Sequence, residues 1–310
     1  RKAIQNSVNV VAVKCLEEVT PQLGLQYLDN FGFTTLAHGT EADRDANGTV
    51  WTDANLPLAL GGLTHGVTNV ELCAAYAAIA NSGNYIEPIY YTKILDHNGN
   101  VLIEKNSAGR SVIKESTAWL LTSAMEDVVT QGTGTACQLD NMPVAGKTGT
   151  TEAYNDLWFV GYTPYYTCAV WSGYDNNEKL PDYARNFHKA LWKKVMTRIH
   201  EGLPSKEFEK PASVEKLSVC EETGLLPRAG CPVITEYFDV GTMPTEYCDQ
   251  HFYDSDDYDY NYDTDSSDQT DNTTDTDNSE SSDNGDTDNS GDSNNTDDNG
   301  NSGDDGTDNT

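Results

Sequence analysis

Two short strings hold the side chains best suited to chemistry: Ser7-Val8-Asn9 and Lys147-Thr148-Gly149-Thr150-Thr151. Lys147 offers a fixed positive charge, and Thr148 and Thr150 offer hydroxyl donors. That set suits a carboxylate such as the terminus of a peptide. Gly149 has no side chain, so a ligand can approach the backbone closely there. The Thr150 N–H can then donate to an oxyanion as it develops. Ser7 can relay a proton to a leaving amine, and the Asn9 amide can bind a substrate amide. Ser7, Asn9 and Lys147 are the catalytic candidates, and Thr148, Gly149, Thr150 and Thr151 the substrate-binding ones. Taken singly, each triplet reads as readily as an ordinary stretch of surface.

The elements that must position them are legible in the hydrophobic period. Residues 7–19 are expected to form a helix with Val10, Val13, Cys15 and Leu16 on its apolar face. Thr68-Asn69-Val70-Glu71 has the form of a capping box, Leu72, Ala75, Tyr76 and Ile79 repeat at helical spacing, and Gly83 suits the stop. Asn98-Gly99 between the runs 91–96 and 101–105 predicts a β-hairpin. Another amphipathic helix is expected over 117–129. The period then changes, and 143–151, 157–163 and 166–174 read as three strands of an antiparallel sheet. A last helix, 183–200, is expected to pack Phe187, Leu191, Val195 and Ile199 back onto that sheet. Helices followed by a meander and a closing helix make an α+β fold, an antiparallel sheet flanked by helices.

Charge divides the chain. Residues 251–310 carry 20 of its 50 acidic residues and none of its 19 lysines and arginines. Such a segment cannot bury enough apolar surface to offset its ordering entropy, so a disordered acidic tail is expected over 253–310. The boundaries read as 1–209 for the main domain, 210–252 for a cysteine-bearing extension, and the tail. A formal net charge of −31 argues against nucleic acid as a partner. No apolar run approaches the roughly 20 residues that span a bilayer. The first 209 residues contain no metal motif, and His38, His65, His97, His188 and His200 have no partner spacing, so no cofactor is expected for the main chemistry.

Seven cysteines cannot all pair with one another. Cys15, Cys73, Cys137 and Cys168 read as free thiols among apolar residues. Cys220, Cys231 and Cys248, with His251 three residues after the last, leave three readings open: a Cys3His zinc site of loose spacing, a Cys220–Cys231 disulfide, or free packed thiols. Asp286-Thr287-Asp288-Asn289-Ser290-Gly291 mimics the start of a calcium loop. Its twelfth position is Asp297 rather than glutamate, and weak non-specific cation association is expected instead.

The wider surroundings of the two triplets resemble the transpeptidase domain of class A, bifunctional penicillin-binding proteins of Gram-positive type. The resemblance rests on residues 2–13 around Ser7, Ala59-Leu60-Gly61-Gly62, Gly66-Val67-Thr68, and Asn81-Ser82-Gly83 running into Tyr85-Ile86-Glu87-Pro88. It continues through Gln131-Gly132-Thr133-Gly134-Thr135-Ala136, Ala145-Gly146-Lys147-Thr148-Gly149-Thr150-Thr151, and Asp156-Leu157-Trp158-Phe159-Val160-Gly161-Tyr162-Thr163-Pro164. These landmarks occur in the family's order over roughly residues 2–250.

The resemblance implies a penicillin-binding transpeptidase or serine β-lactamase-like fold and a D,D-transpeptidase that acts on peptidoglycan stem peptides and is acylated by β-lactams. It implies Ser7 as proton relay, Asn9 as ligand of the substrate amide, Lys147 as the charge that tunes Ser7, Thr148 and Thr150 on the carboxylate, and the Thr150 N–H as half of the oxyanion hole. It also implies a membrane-anchored parent facing outward to the cell wall, with a glycosyltransferase domain upstream. The family's third motif, S-x-x-K with the nucleophilic serine, belongs before Ser7. The two S-x-x-K strings present, Ser111-Val112-Ile113-Lys114 and Ser213-Val214-Glu215-Lys216, come after it. The nucleophile is therefore expected upstream of Arg1, and this chain alone is expected to form no penicilloyl adduct.

Other readings fit less well. A P-loop needs a glycine where Asn141 stands, with no Pro143 inside it. A serine β-lactamase needs a deacylating E-x-x-x-N string between the two motifs, and Asp43 to Asn47 is the nearest approach. A non-catalytic wall-binding or scaffolding module is the alternative if no nucleophile exists upstream.

Overall fold

The computed structural model describes residues 1–106 and 108–251. The acidic tail and its calcium-like string lie outside them. Helix α1 (Lys2–Gln5) and helix α2 (Asn9–Val19) flank a turn at Ser7. The helix expected over 7–19 therefore begins two residues later. Ser7 sits at φ 55°, a left-handed conformation that no helix accommodates and that costs a non-glycine residue energy. Nothing in α2 is buried, and Val10 and Val11 are 64% and 48% exposed. Its apolar face is on the surface of the described residues.

Helix α3 (Pro21–Asn30) starts with proline at its first position under a cap in which Thr20 Oγ1 accepts from Leu23 N–H. Its Leu25 packs with Phe33, Leu36 and Ala75. The long connection that follows is organised by Asp53, which is 1% exposed and accepts from Ala37 N–H, Thr64 N–H and the Thr64 hydroxyl. Helix α4 (Asn69–Ala80) opens on the expected capping box between Thr68 and Glu71. Strands β1 (Asn84–Ile86), β2 (Lys93–Leu95), β3 (Val101–Glu104) and β4 (Gly109–Ser111) form two small antiparallel pairs, β1 with β4 and β2 with β3. The turn of the second pair has Gly99 at φ 85°, as its Asn-Gly sequence requires.

Helix α5 (Glu115–Thr130) leads to the main sheet: β5 (Ala145–Thr150), β6 (Asp156–Tyr162) and β7 (Thr167–Gly173), antiparallel in that order. Helices α4 and α5 cover one face through Ile79, Ala118 and Met125 against Ala145 and Tyr162. Helix α6 (Phe187–Ile199) covers the other through Trp192 and Met196 against Phe159 and Val170.

The face of α6 differs from the expected one by a single residue. Phe187, Leu191, Val195 and Ile199 are exposed, whereas His188, Trp192 and Met196 are buried. Gly161 explains the choice. A Cβ there would lie 3.0 Å from the Trp192 ring, so its absence makes the slot that the indole fills. The indole N–H then donates to Cys168 O at 2.9 Å, and its ring meets Phe159 edge-on.

The extension, for which the period gave no elements, is a hairpin of β8 (Val214–Cys220) and β9 (Val233–Asp239). It docks on α5, where Trp119 meets Tyr237 edge-to-face with ring centroids 4.8 Å apart.

Candidate active site

Strand β5 is an edge of the main sheet, and Lys147 is its third residue. Lys147 Nζ lies 2.8 Å from Ser7 Oγ and 3.0 Å from Thr148 O. Two motifs 140 residues apart in sequence thus meet through one hydrogen bond. Among the described residues no carboxylate bonds Lys147. Burial holds the ammonium below its ordinary pKa.

Ser7 is brought there by the backbone around it. Arg1 ties α1 to α5 by donating to Ser123 O and Asp127. Thr133 N–H donates to Gln5 O, and Gly132 permits that approach, because a Cβ on it would stand 2.4 Å from Gln5 O. The Thr133 hydroxyl is 2.8 Å from that of Thr148. Thr133 joins the site, although its own motif assigns it no role.

Ser7, Thr133, Thr148 and Thr150 line a cleft of ≈ 430 Å³ with Tyr154, Arg185, His188 and Lys189. Neither S-x-x-K serine, Ser111 nor Ser213, is in its wall. Thr150 follows the alternation of an antiparallel strand. Thr151 N–H donates to Asp156 O on β6, so the N–H of Thr150 points to the unpaired edge.

Three expected residues are placed otherwise. Thr151 does not line the cleft; its hydroxyl accepts from Asn155 and Asp156 N–H and holds the β5–β6 turn. A Cβ at Gly149 would meet Trp158 Cβ at 3.2 Å, so that glycine serves close packing on β6. Asn9 opens α2, exposed, outside the wall of the cleft.

The charge of the cleft opposes that of the chain. Among the described residues its lining carries Arg185 and Lys189 and no carboxylate, with Lys147 behind it. Arg185 pairs with Asp182 and stacks over Tyr154 at 4.3 Å. His188 is 2% exposed, and burial pushes its pKa down to about 4, so it stays neutral. A positive recess on an acidic surface selects anionic ligands.

Helices packed on both faces of an antiparallel sheet, with Lys-Thr-Gly on its edge strand over a hydroxyl-lined cleft, is the arrangement of penicillin-recognising domains. Residues 1–197 match the family model of the penicillin-binding protein transpeptidase domain, and residues 210–253 match that of the penicillin-binding protein 1A C-terminal domain. The chain belongs to the penicillin-binding protein transpeptidase family. It is 35% identical over 259 residues to penicillin-binding protein 1A of Clostridium botulinum, covering 81% of this chain and 30% of that relative. Penicillin-binding protein 1A from Haemophilus influenzae shares its fold, with TM-score 0.64 and 22% identity over 80% of this chain and 41% of that one. The PonA1 protein from Mycobacterium tuberculosis, solved in complex with penicillin V, has TM-score 0.57 and 25% identity, covering 68% of this chain and 58% of that one. The chain thus spans under a third of the Clostridium relative's length.

Outside the cleft, the ligand atoms of Cys220, Cys231, Cys248 and His251 lie within 4.8 Å of one another. The four residues whose spacing left three readings open are one cluster.

Proposed function

We propose that this chain supplies the proton-relay and carboxylate-binding side of a peptidoglycan D,D-transpeptidase. The observation that carries the reading is the 2.8 Å bond from Lys147 to Ser7, a residue lining a cationic, hydroxyl-lined cleft. In this reading a serine outside these 310 residues attacks the penultimate D-Ala carbonyl of a stem peptide. The peptide C–N bond breaks, and the leaving amine takes its proton through Ser7 Oγ. Lys147 holds the Ser7 oxygen and biases it electrostatically. Thr148 and Thr150 bind the substrate carboxylate, with Thr133 orienting Thr148. The Thr150 N–H on the open edge stabilises the oxyanion. An amine from a neighbouring strand then takes the acyl group and frees the serine. A β-lactam enters the same cleft with its carboxylate in the same place.

Residues 1–209 form the transpeptidase part and 210–252 the extension in this scheme. The parent protein works on the outer face of the cytoplasmic membrane. No helix among the described residues is long and apolar enough to cross that membrane.

Fluorescent penicillin tests the reading. The protein at its full encoded length is expected to label covalently, and Ser7→Ala and Lys147→Ala to label at least about 10²-fold more slowly. The 310-residue chain alone is expected to show no mass increase after benzylpenicillin. Full-rate labelling of either variant would remove the assigned roles. Absence of labelling in the full-length protein would favour a non-catalytic wall-binding module.

A further inference from the structure

The Cys–His cluster sits in the extension, away from the residues that line the cleft. We propose that Cys220, Cys231, Cys248 and His251 bind one zinc ion as a closed, four-coordinate structural site.

The two sulfur–nitrogen distances fit the metal. Tetrahedral zinc with Zn–S of about 2.3 Å and Zn–N of about 2.0 Å puts sulfur and nitrogen about 3.5 Å apart and sulfurs about 3.8 Å apart. His251 Nδ1 lies 3.5 Å from Cys220 Sγ and 3.3 Å from Cys248 Sγ. Three thiols and one imidazole complete the shell and leave no position for a substrate. This is a structural donor set, and three soft sulfurs favour zinc over magnesium or calcium.

The surroundings prepare each ligand. The other ring nitrogen of His251, Nε2, is 3.1 Å from Glu222 Oε2. A carboxylate there accepts the Nε2–H and leaves Nδ1 free to ligate, the usual outer partner of a metal-bound histidine. Arg228 N–H lies 3.3 Å from Cys231 Sγ and donates to it. Cys220 and Cys248 are fully buried, so their sulfurs are shielded from solvent.

The sequence spacing looked loose because the backbone, not a short knuckle, gathers the ligands. Cys220 ends β8 and pairs with Val233, two residues after Cys231. Cys220 N–H donates to Leu225 O, and Gly224 turns the chain at φ 72°. Cys248 N–H then donates to Leu226 O, which brings the last two ligands to that turn. A Cys220–Cys231 disulfide would use only two of the four gathered donors and leave the Cys248 thiol and His251 Nδ1 facing each other. On binding, each thiol gives its proton to solvent, and no atom is oxidised. The ion pins residues 248–251 to the β8 turn.

The full-length protein, purified without chelator, tests this by elemental analysis. About one zinc per chain is expected in the parent protein and in Cys15→Ser, a control thiol outside the cluster. Cys248→Ser is expected to lose at least nine tenths of it, and His251→Cys to retain it as a four-thiolate site. Should Cys248→Ser fail to fold, cobalt exchanged into the parent protein decides. Intense thiolate-to-cobalt absorption with tetrahedral d–d bands supports the site, and an octahedral spectrum overturns it. Zinc-free protein, or an intact mass lowered by the two hydrogens of a disulfide, also overturns it.

Discussion

Gly132→Ala should separate the positioning of Ser7 from its chemistry. The added Cβ would stand 2.4 Å from Gln5 O and 2.9 Å from Val128 Cα, both backbone atoms. Neither can rotate away, so α1 must retreat. Bringing the first contact from 2.4 Å to the 3.4 Å of ordinary contact takes about 1 Å. Ser7 is two residues beyond Gln5, and its oxygen now sits 2.8 Å from Lys147 Nζ. A retreat of that size takes the pair beyond hydrogen-bond range. Misplacement by about 1 Å costs about 10²-fold in rate. Overpacking itself costs about 1–3 kcal/mol, and a domain of this size loses about 2–4 °C in Tm per kcal/mol. The assay is the second-order rate of acylation by fluorescent penicillin in the full-length protein, with a thermal melt on the same sample. A melt lowered as expected with a rate within about threefold of the parent would refute the reasoning, since the strain would then be absorbed without moving Ser7.

The other expectations concern α6 and α5. Trp192→Ala should cost about 3–5 kcal/mol for its side chain and about 1 kcal/mol more for its bond to Cys168 O. Leu191→Ala, 37% exposed, should cost under about 1 kcal/mol; equal urea midpoints for the two would overturn the assigned face. Burial, then Glu207 and Asp127, pushes the Glu126 carboxyl up to about 7, opposed by Arg1. The folded chain therefore keeps a proton that the unfolded chain releases near 4.5, and stability falls as pH rises between those values. Glu126→Gln removes that titration and should flatten the fall between about pH 4.5 and about pH 7; an unchanged slope in urea unfolding would assign it to other groups.

Local order was legible wherever a local cause produces it. The Thr68–Glu71 capping box, the Asn98-Gly99 turn and the three strands from residue 143 stand where the period and turn chemistry put them. The failures occur where a distant contact decides. On α6 the apolar stripe Phe187, Leu191, Val195 and Ile199 is as regular as the buried set, and hydropathy cannot rank them. The slot over Gly161, created by a strand some 30 residues away, takes Trp192. At Ser7 helical propensity continues through the residue, and the turn there comes from tertiary anchoring of α1 to α5 by Arg1 and Thr133.

The amino-acid sequence by itself determined the donor sets: a serine and a lysine with hydroxyls for acyl chemistry, and three thiols with an imidazole. Side-chain chemistry is intrinsic, and the motifs state it without reference to fold. Only the tertiary structure decided which groups meet. Lys147 reaches Ser7 because an edge strand and an anchored turn converge. Thr133 joins them and Thr151 is withdrawn to a turn, while residues spaced as Cys220, Cys231, Cys248 and His251 gather within 4.8 Å. Distance in space is set by the register and packing of backbone far from each site, which no local spacing records.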